Sequence, residues 1–402
     1  MVLTKHQQDM LNGQYGRGKA MAMQIQTAVG EGFSAQRMVP VNRAHVALSA
    51  QEADTWFAGR LRDAGAVCAI PPTVNPGYCL KYFKLLELVD EEAASLMKET
   101  QEVYRDLGAI LSYSCTPYLF GNIPRYGEVV SFSETSASVY VNSVLGAKTH
   151  RESSGTALCA AVTGYVAEYG MLLEENRKGT ILVDVRASVE TDFEMALLGL
   201  TAKKIGNGIP VFQGISKNVT TEGLIALGAQ LNVAGVCDMF HIPGLTPEAS
   251  DLRQAFGGKA PKETVVITGE DLQKAREDYF PERVDRPGFV MLGCPHYTYR
   301  QISRVISILA GRRADIDIWI LTSGAEKALL ASTGLEAELL RGRVRLVADT
   351  CVDQKTCFGH LAGTGGVTDS PKCAYYMRSF GVKLAVHDVE TCIRLALEGR
   401  KD

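Results

Sequence analysis

Short apolar runs alternate with segments of helical length through the middle and end of this chain, and that rhythm constrains its fold more than any other feature. Runs at 180–185, 210–213, 233–240, 288–293, 316–321 and 344–348 read as strands, and 190–204, 221–230, 299–311 and 326–341 read as helices. A strand followed by a crossover helix and another strand pairs in parallel, so the pattern predicts βαβ units in an α/β fold. The rhythm is different before residue 180. A helix is expected over 8–30, interrupted near Gly13, Gly16 and Gly18, then a short buried strand within 38–48 carrying His45 as a satisfied structural histidine. A further helix over 91–111 ends before Pro117, which blocks its continuation. The segment 115–152 is dense in Gly, Asn, Ser, Thr and Pro; ordered loops of that length usually carry function. The expected units are 1–179, an N-terminal α/β region with the loop-rich segment; 180–286, an α/β domain; and 287–402, a second α/β domain.

Charge and hydropathy remove several classes of function. The chain has 402 residues and a net charge of −3 with scattered Lys and Arg, so it has no basic field for nucleic acid or an anionic membrane. No apolar stretch approaches the roughly 20 residues that span a bilayer. The polar start lacks the layout of a signal peptide. A soluble, cytoplasmic protein is expected. There the ten cysteines stay reduced and do not build a disulfide framework.

Ligands of open parallel sheets collect beyond the carboxyl ends of the strands. Cys294 follows the run 288–293, and Cys351 follows 344–348. Between them Thr322-Ser323-Gly324 offers hydroxyls and a helix start suited to an anion. Cys115 opens the loop-rich segment as a third thiol. Three thiolates hold an iron–sulfur cluster and leave one iron open, but without a Cys-x-x-Cys pair the spacing alone favours unrelated buried thiols. A zinc site from Cys351, Cys357, His360 and Cys373 fits no common tetrahedral spacing. A nucleophilic Cys294 beside His296 puts two near-adjacent loop residues in a geometry they rarely reach. The Gly-rich run 363–370 is either a connector or an anion cradle built with Thr368, Ser370 and Lys372. Nucleotide-binding fingerprints are absent.

The motifs themselves are more specific than their spacing. Cys115-Thr-Pro-Tyr-Leu-Phe-Gly-Asn-Ile-Pro, Gly127-Glu, Ser133-Glu-Thr-Ser, Asn142-Ser-Val-Leu-Gly-Ala-Lys-Thr-His-Arg-Glu, Tyr169-Gly and Glu174-Glu-Asn-Arg occur in order. They are followed by Gly293-Cys-Pro-His, Asp349-Thr-Cys and Thr368-Asp-Ser-Pro-Lys-Cys-Ala-Tyr-Tyr. Together they resemble the aconitase X family over nearly the whole chain. The resemblance implies an aconitase-like multi-layer α/β assembly and a hydro-lyase that dehydrates a small hydroxy acid. It also implies an iron–sulfur cluster ([4Fe-4S], [3Fe-4S] or [2Fe-2S]) on Cys115, Cys294 and Cys351. The chain looks like the split type of the family, whose small swivelling domain is a separate subunit, giving a heterodimer.

Family members dehydrate mevalonate 5-phosphate or cis-3-hydroxy-L-proline, and the split architecture favours the first. Ala147-Lys-Thr-His-Arg and Phe132-Ser-Glu-Thr-Ser-Ala depart from the family's usual Ala-Arg-Thr-Asn-Arg and its Trp-containing run. Both departures bear on the substrate. Within the resemblance Arg151, Lys148 and His150 are assigned to the substrate's anionic groups and Asn142 and Ser143 to further substrate contacts, joined by Ser323 from the strand-end loop and Lys372 from the Gly-rich loop. Glu134 and Ser370 are the candidate catalytic groups, and His296 is a supporting histidine. The proton-abstracting base is expected from the small subunit. The contrasting class is a non-catalytic ligand-binding or scaffold subunit, which would keep the fold without the cluster.

Overall fold

The structure, a computed structural model, describes residues 1–48 and 52–398. Its largest sheet has five strands, in the order Val344–Ala348, Asp317–Thr322, Phe289–Leu292, Gly366–Thr368, Leu384–Val386, all parallel. Side chains alternate across a strand, and here the alternation separates two cores. Val290, Leu292, Ile318 and Ile320 pack on the side of the helices Tyr299–Leu309 and Val389–Glu398. Phe289, Met291, Trp319 and Leu321 face the larger core shared with Phe83, Phe132 and Phe212. Both faces are covered, which is why these strands read as continuous apolar runs. Burying one such Phe contributes about 1.5–3 kcal/mol.

Strand order in this sheet runs backwards through the chain as far as Phe289–Leu292, then forwards from Gly366–Thr368. That reversal is a topological switch point, where the two flanking connections leave on opposite faces and open a crevice. A second parallel sheet places Ile181–Val185 between Pro210–Gln213 and Glu263–Ile267. A third places Arg43–Val46 between Thr73–Val74 and Val130–Phe132. Met38–Pro40 pairs antiparallel with Tyr165–Ala167, the one departure from parallel pairing among the described sheets.

Several local expectations need correction. The helix expected at 8–30 is two, Lys5–Leu11 and Arg17–Gly32, parted where Gly13 and Gly16 take φ of 85° and 94°. The strand expected at 233–240 does not form. The helix Thr221–Gly235 runs through its first half, and Val236 ends it at φ 55°. Asn232 Nδ2 then donates to Cys237 O at 3.0 Å, tying the following turn to the helix. Glu263–Ile267 takes the edge of that sheet instead. Within 115–152 lie the strand Val130–Phe132 and the helix Thr135–Ser143, every residue of which is buried except Thr135. Six of its nine residues are Thr, Ser, Ala or Asn, small or polar, so no apolar stripe announced it.

Candidate active site

Two parallel sheets point their carboxyl ends at one cavity of about 140 Å³. From the five-stranded sheet come Cys294 after Phe289–Leu292, Cys351 after Val344–Ala348, and Lys372 in the helix Pro371–Met377 that follows Gly366–Thr368. From the facing three-stranded sheet come Leu48, Asn75 and Glu134, each just beyond one of its strands. Cys115 arrives on the turn before Pro117–Leu119. The two strand-end layers are tied directly, because Cys351 N donates to Gly77 O at 2.9 Å and Cys79 N to Thr350 Oγ1 at 3.0 Å.

His296 joins all three cysteine segments. Its backbone N–H donates to Cys115 Sγ at 3.2 Å, and its Nε2 bonds Thr350 O at 2.9 Å, one residue before Cys351. It lies two residues after Cys294. Gly293 lets the chain turn there: its φ is +95°, and a Cβ would stand 2.1 Å from Leu321 O. Ser370 sits behind this wall rather than in the cavity. Its hydroxyl donates to Cys294 O and accepts from Cys373 N, capping the helix that carries Lys372.

Charge in the cavity is organised around Glu134 and Lys372. Glu134 caps the helix Thr135–Ser143, and Oε1 accepts from Ser136 Oγ at 2.7 Å and from Lys372 Nζ at 2.8 Å. Oε2 accepts from Asn75 Nδ2 at 2.6 Å. Burial pushes this carboxyl up, but the Lys372 ammonium, together with the Asn75 and Ser136 donors, outweighs it and brings its pKa down to about 2. Burial alone would pull Lys372 down, yet the Glu134 carboxylate holds it well above the ordinary lysine range. The pair therefore stays charged in a low-dielectric site.

The thiols behave oppositely. Burial pushes Cys115 and Cys351 up to about 12 and Cys294 well above its ordinary value. Thiolates at these positions call for positive charge beside them, which a bound metal centre supplies. Three thiols on one cavity, with a backbone N–H already aimed at one sulfur, match the donors and the sulfur-directed hydrogen bond of a three-cysteine cluster site. Among the described residues no three His, Cys, Asp or Glu groups are set to hold a single ion. The zinc set is not assembled: Cys357 packs in the core with Phe83 and Phe358, and Cys373 Sγ points at Met377 Sδ, 3.7 Å away.

The sequence grouped twelve residues as one site; the structure divides them. Cys115, Glu134, Cys294, Cys351 and Lys372 line the cavity, with Ser370 behind Cys294. The others lie outside its lining. Asn142 bonds both the N–H and the C=O of Thr149 at 3.0 Å and takes a third bond from Arg177 at 3.2 Å. Ser143 Oγ accepts from Phe240 N at 2.9 Å. Lys148 pairs with Glu174, and His150 stacks on Tyr169 with centroids 3.8 Å apart. Arg151 is exposed and donates to Asn232 Oδ1 at 3.1 Å. Ser323 caps its helix through Glu326 N at 3.3 Å. Asn75 and Tyr376 also line the cavity, and sequence reasoning passed over both. Asn75 stands in a Pro- and Gly-rich turn that gives no chemical cue.

The chain matches three family models: the aconitase X first domain over residues 1–175, the second domain over 179–277 and the third over 287–398. It is 33% identical to the phosphomevalonate dehydratase large subunit of Thermococcus kodakarensis, covering 98% of this chain and 100% of that one. It is 30% identical to the cis-3-hydroxy-L-proline dehydratase of Pseudomonas aeruginosa, over 98% of this chain and 69% of that one. The crystal structure of Thermococcus kodakaraensis aconitase X in its holo-form superposes with a TM-score of 0.89 at 32% identity, covering 98% of this chain and 100% of that one.

Proposed function

Since the chain belongs to the aconitase X family, we propose that it is the large, catalytic subunit of a hydro-lyase that dehydrates mevalonate 5-phosphate. The observation that carries the reading is the single cavity bounded by Cys115, Cys294, Cys351, Glu134 and Lys372. Cys115, Cys294 and Cys351 would hold an iron–sulfur cluster, which when bound supplies a Lewis acid toward the leaving hydroxyl. Lys372 is the buried cation of the cavity, and it binds the substrate's carboxylate and steadies the charge that grows on it. Glu134 fixes the direction of that ammonium. With so many donors on its oxygens it is a poor proton acceptor, so its part is orientation rather than proton removal. His296 keeps the cysteine segments in register.

The base for the neighbouring C–H bond is assigned to a small subunit, in keeping with relatives named large subunits. The units 1–179, 180–286 and 287–402 belong to the same proposal, each built on a parallel sheet of its own. All ten cysteines are free thiols, as a reducing cytoplasm keeps them, and we place the enzyme there. Among the described residues no helix is long and apolar enough to cross a membrane.

A second reading, turnover of cis-3-hydroxy-L-proline, draws on the relative that carries that name. Anaerobic purification with iron and sulfide analysis, followed by assays on both substrates with and without the small subunit, tests the proposal. Bound iron and sulfide with turnover of mevalonate 5-phosphate by the pair supports it. A metal-free protein with full activity, or an iron-loaded pair inert toward both substrates, overturns it.

A further inference from the structure

The hydrogen bonds at Glu134 continue away from the cavity through Asn75 into buried groups, His45, Thr73 and Asn122, to which the chemistry above gives no part. Glu134 Oε2 accepts from Asn75 Nδ2 at 2.6 Å, and Asn75 Oδ1 lies 2.7 Å from His45 Nε2. His45 Nδ1 lies 2.8 Å from Thr73 Oγ1, which accepts from Asn122 Nδ2 at 2.7 Å. His45 is 0% exposed, on the central strand of its sheet, in register with Thr73 on one side and Phe132 on the other.

The charge on Glu134 sets the direction of every link. A carboxylate only accepts, so Asn75 turns its Nδ2 toward Glu134 and its Oδ1 toward the imidazole. Nε2 of His45 must then carry the proton. Nδ1 is left as an acceptor, and Thr73 donates its hydroxyl to it. One tautomer of a buried imidazole is thus selected by a charge two links away. Burial also pulls the His45 pKa down to about 4, keeping the ring neutral.

We propose that His45 is a positioning residue for the dehydration: through Asn75 it holds the Glu134 carboxylate, and through Glu134 the Lys372 ammonium, in one orientation. The inference rests on the reading of Glu134 and Lys372 as the oriented pair of the active site. A merely structural role does not call for this residue type. An apolar ring fills the same space but leaves the buried Asn75 Oδ1 without a donor, so the amide loses the second anchor that fixes where its Nδ2 meets Glu134.

Two measurements test it. The first is the histidine 15N spectrum of the wild-type chain, alone and with iron and the small subunit, alongside E134Q. The Nε2–H tautomer is expected for His45 in the wild type, and a shift toward the other tautomer in E134Q; a wild-type imidazole found as Nδ1–H or as the cation overturns the proposal. The second compares H45F, H45Q and E134Q as iron-loaded complexes, recording kcat and KM for mevalonate 5-phosphate, iron content and Tm. H45F is expected to lose about 10- to 100-fold in kcat with its iron retained. H45Q, which restores a donor toward Asn75, is expected to recover most of that loss. An H45F enzyme at wild-type kcat, or equal losses in H45F and H45Q that follow Tm, overturns the inference. If E134Q keeps wild-type kcat, the reading of the pair fails as well; if E134Q is inactive while H45F is not, His45 alone is excluded.

Discussion

Lys372 Nζ stands 2.8 Å from Glu134 Oε1, with the two side chains only 6% and 11% exposed. Chain segments 238 residues apart meet in this ion pair, at the point where the carboxyl ends of two sheets face each other. Each charge is tolerable because the other is present. Replacing one partner leaves the survivor buried and uncompensated, so E134Q and K372M should each cost about 3–5 kcal/mol. The double variant E134Q/K372M, which removes both charges, should recover much of that loss. Urea unfolding of the metal-free chain checks the stability. Turnover should stay abolished in all three variants, so stability and activity part company in the double variant.

The same pair gives the protein a pH signature. The Glu134 carboxyl is brought to about 2 in the fold, against 4.5 ordinarily. A depressed carboxyl contributes stability that is present above its unfolded value and is lost as pH falls toward its folded one. Between about pH 4.5 and pH 2 the wild-type protein should therefore lose on the order of 3 kcal/mol more than E134Q. Unfolding free energies of the two proteins across that range decide it. A stability difference that does not change with pH contradicts the ionised pair.

Gly293 is the hinge on which Cys294 turns. Alanine there meets Leu321 O at 2.1 Å and keeps a φ of +95°. G293A should cost about 3 kcal/mol or more and lower the iron retained after anaerobic desalting. G311A is the control: its φ is +75° with nothing within 4 Å, so it should cost only about 1 kcal/mol and leave the iron content unchanged.

Asn142 separates a brace from a substrate contact. Its amide is spent on Thr149 and Arg177. N142A should lower stability by about 1–3 kcal/mol while KM for mevalonate 5-phosphate stays within about twofold. A large rise in KM without loss of stability would return this residue to the substrate.

Much of this was legible in the chain, for identifiable reasons. Strand segments buried on both faces, such as Phe289–Leu292 and residues 318–321, read as unbroken apolar runs, so the parallel sheet and its productive end followed from composition and order. Cys294 and Cys351 were located by that geometry alone. What escaped was held by polar groups. The helix Thr135–Ser143 is buried yet built of small and polar residues, and the apolar stretch 233–236 satisfies helix and strand patterns equally. Arg151, Lys148 and His150 attract notice as charged residues in a motif, but their partners, Asn232, Glu174 and Tyr169, lie at distances in sequence that no local pattern reports. His45 reads as a satisfied structural histidine, which its two ring hydrogen bonds match, but its link to the cavity through Asn75 went unseen because a buried hydrogen-bonded chain has no periodicity.

Iron-edge anomalous diffraction from crystals grown without oxygen addresses the central claim most directly. The account predicts iron density inside the cavity, bonded to the sulfurs of Cys115, Cys294 and Cys351, with one iron free of protein ligands. Iron bound elsewhere, or held there by other side chains while one of these three sulfurs points away, would contradict it.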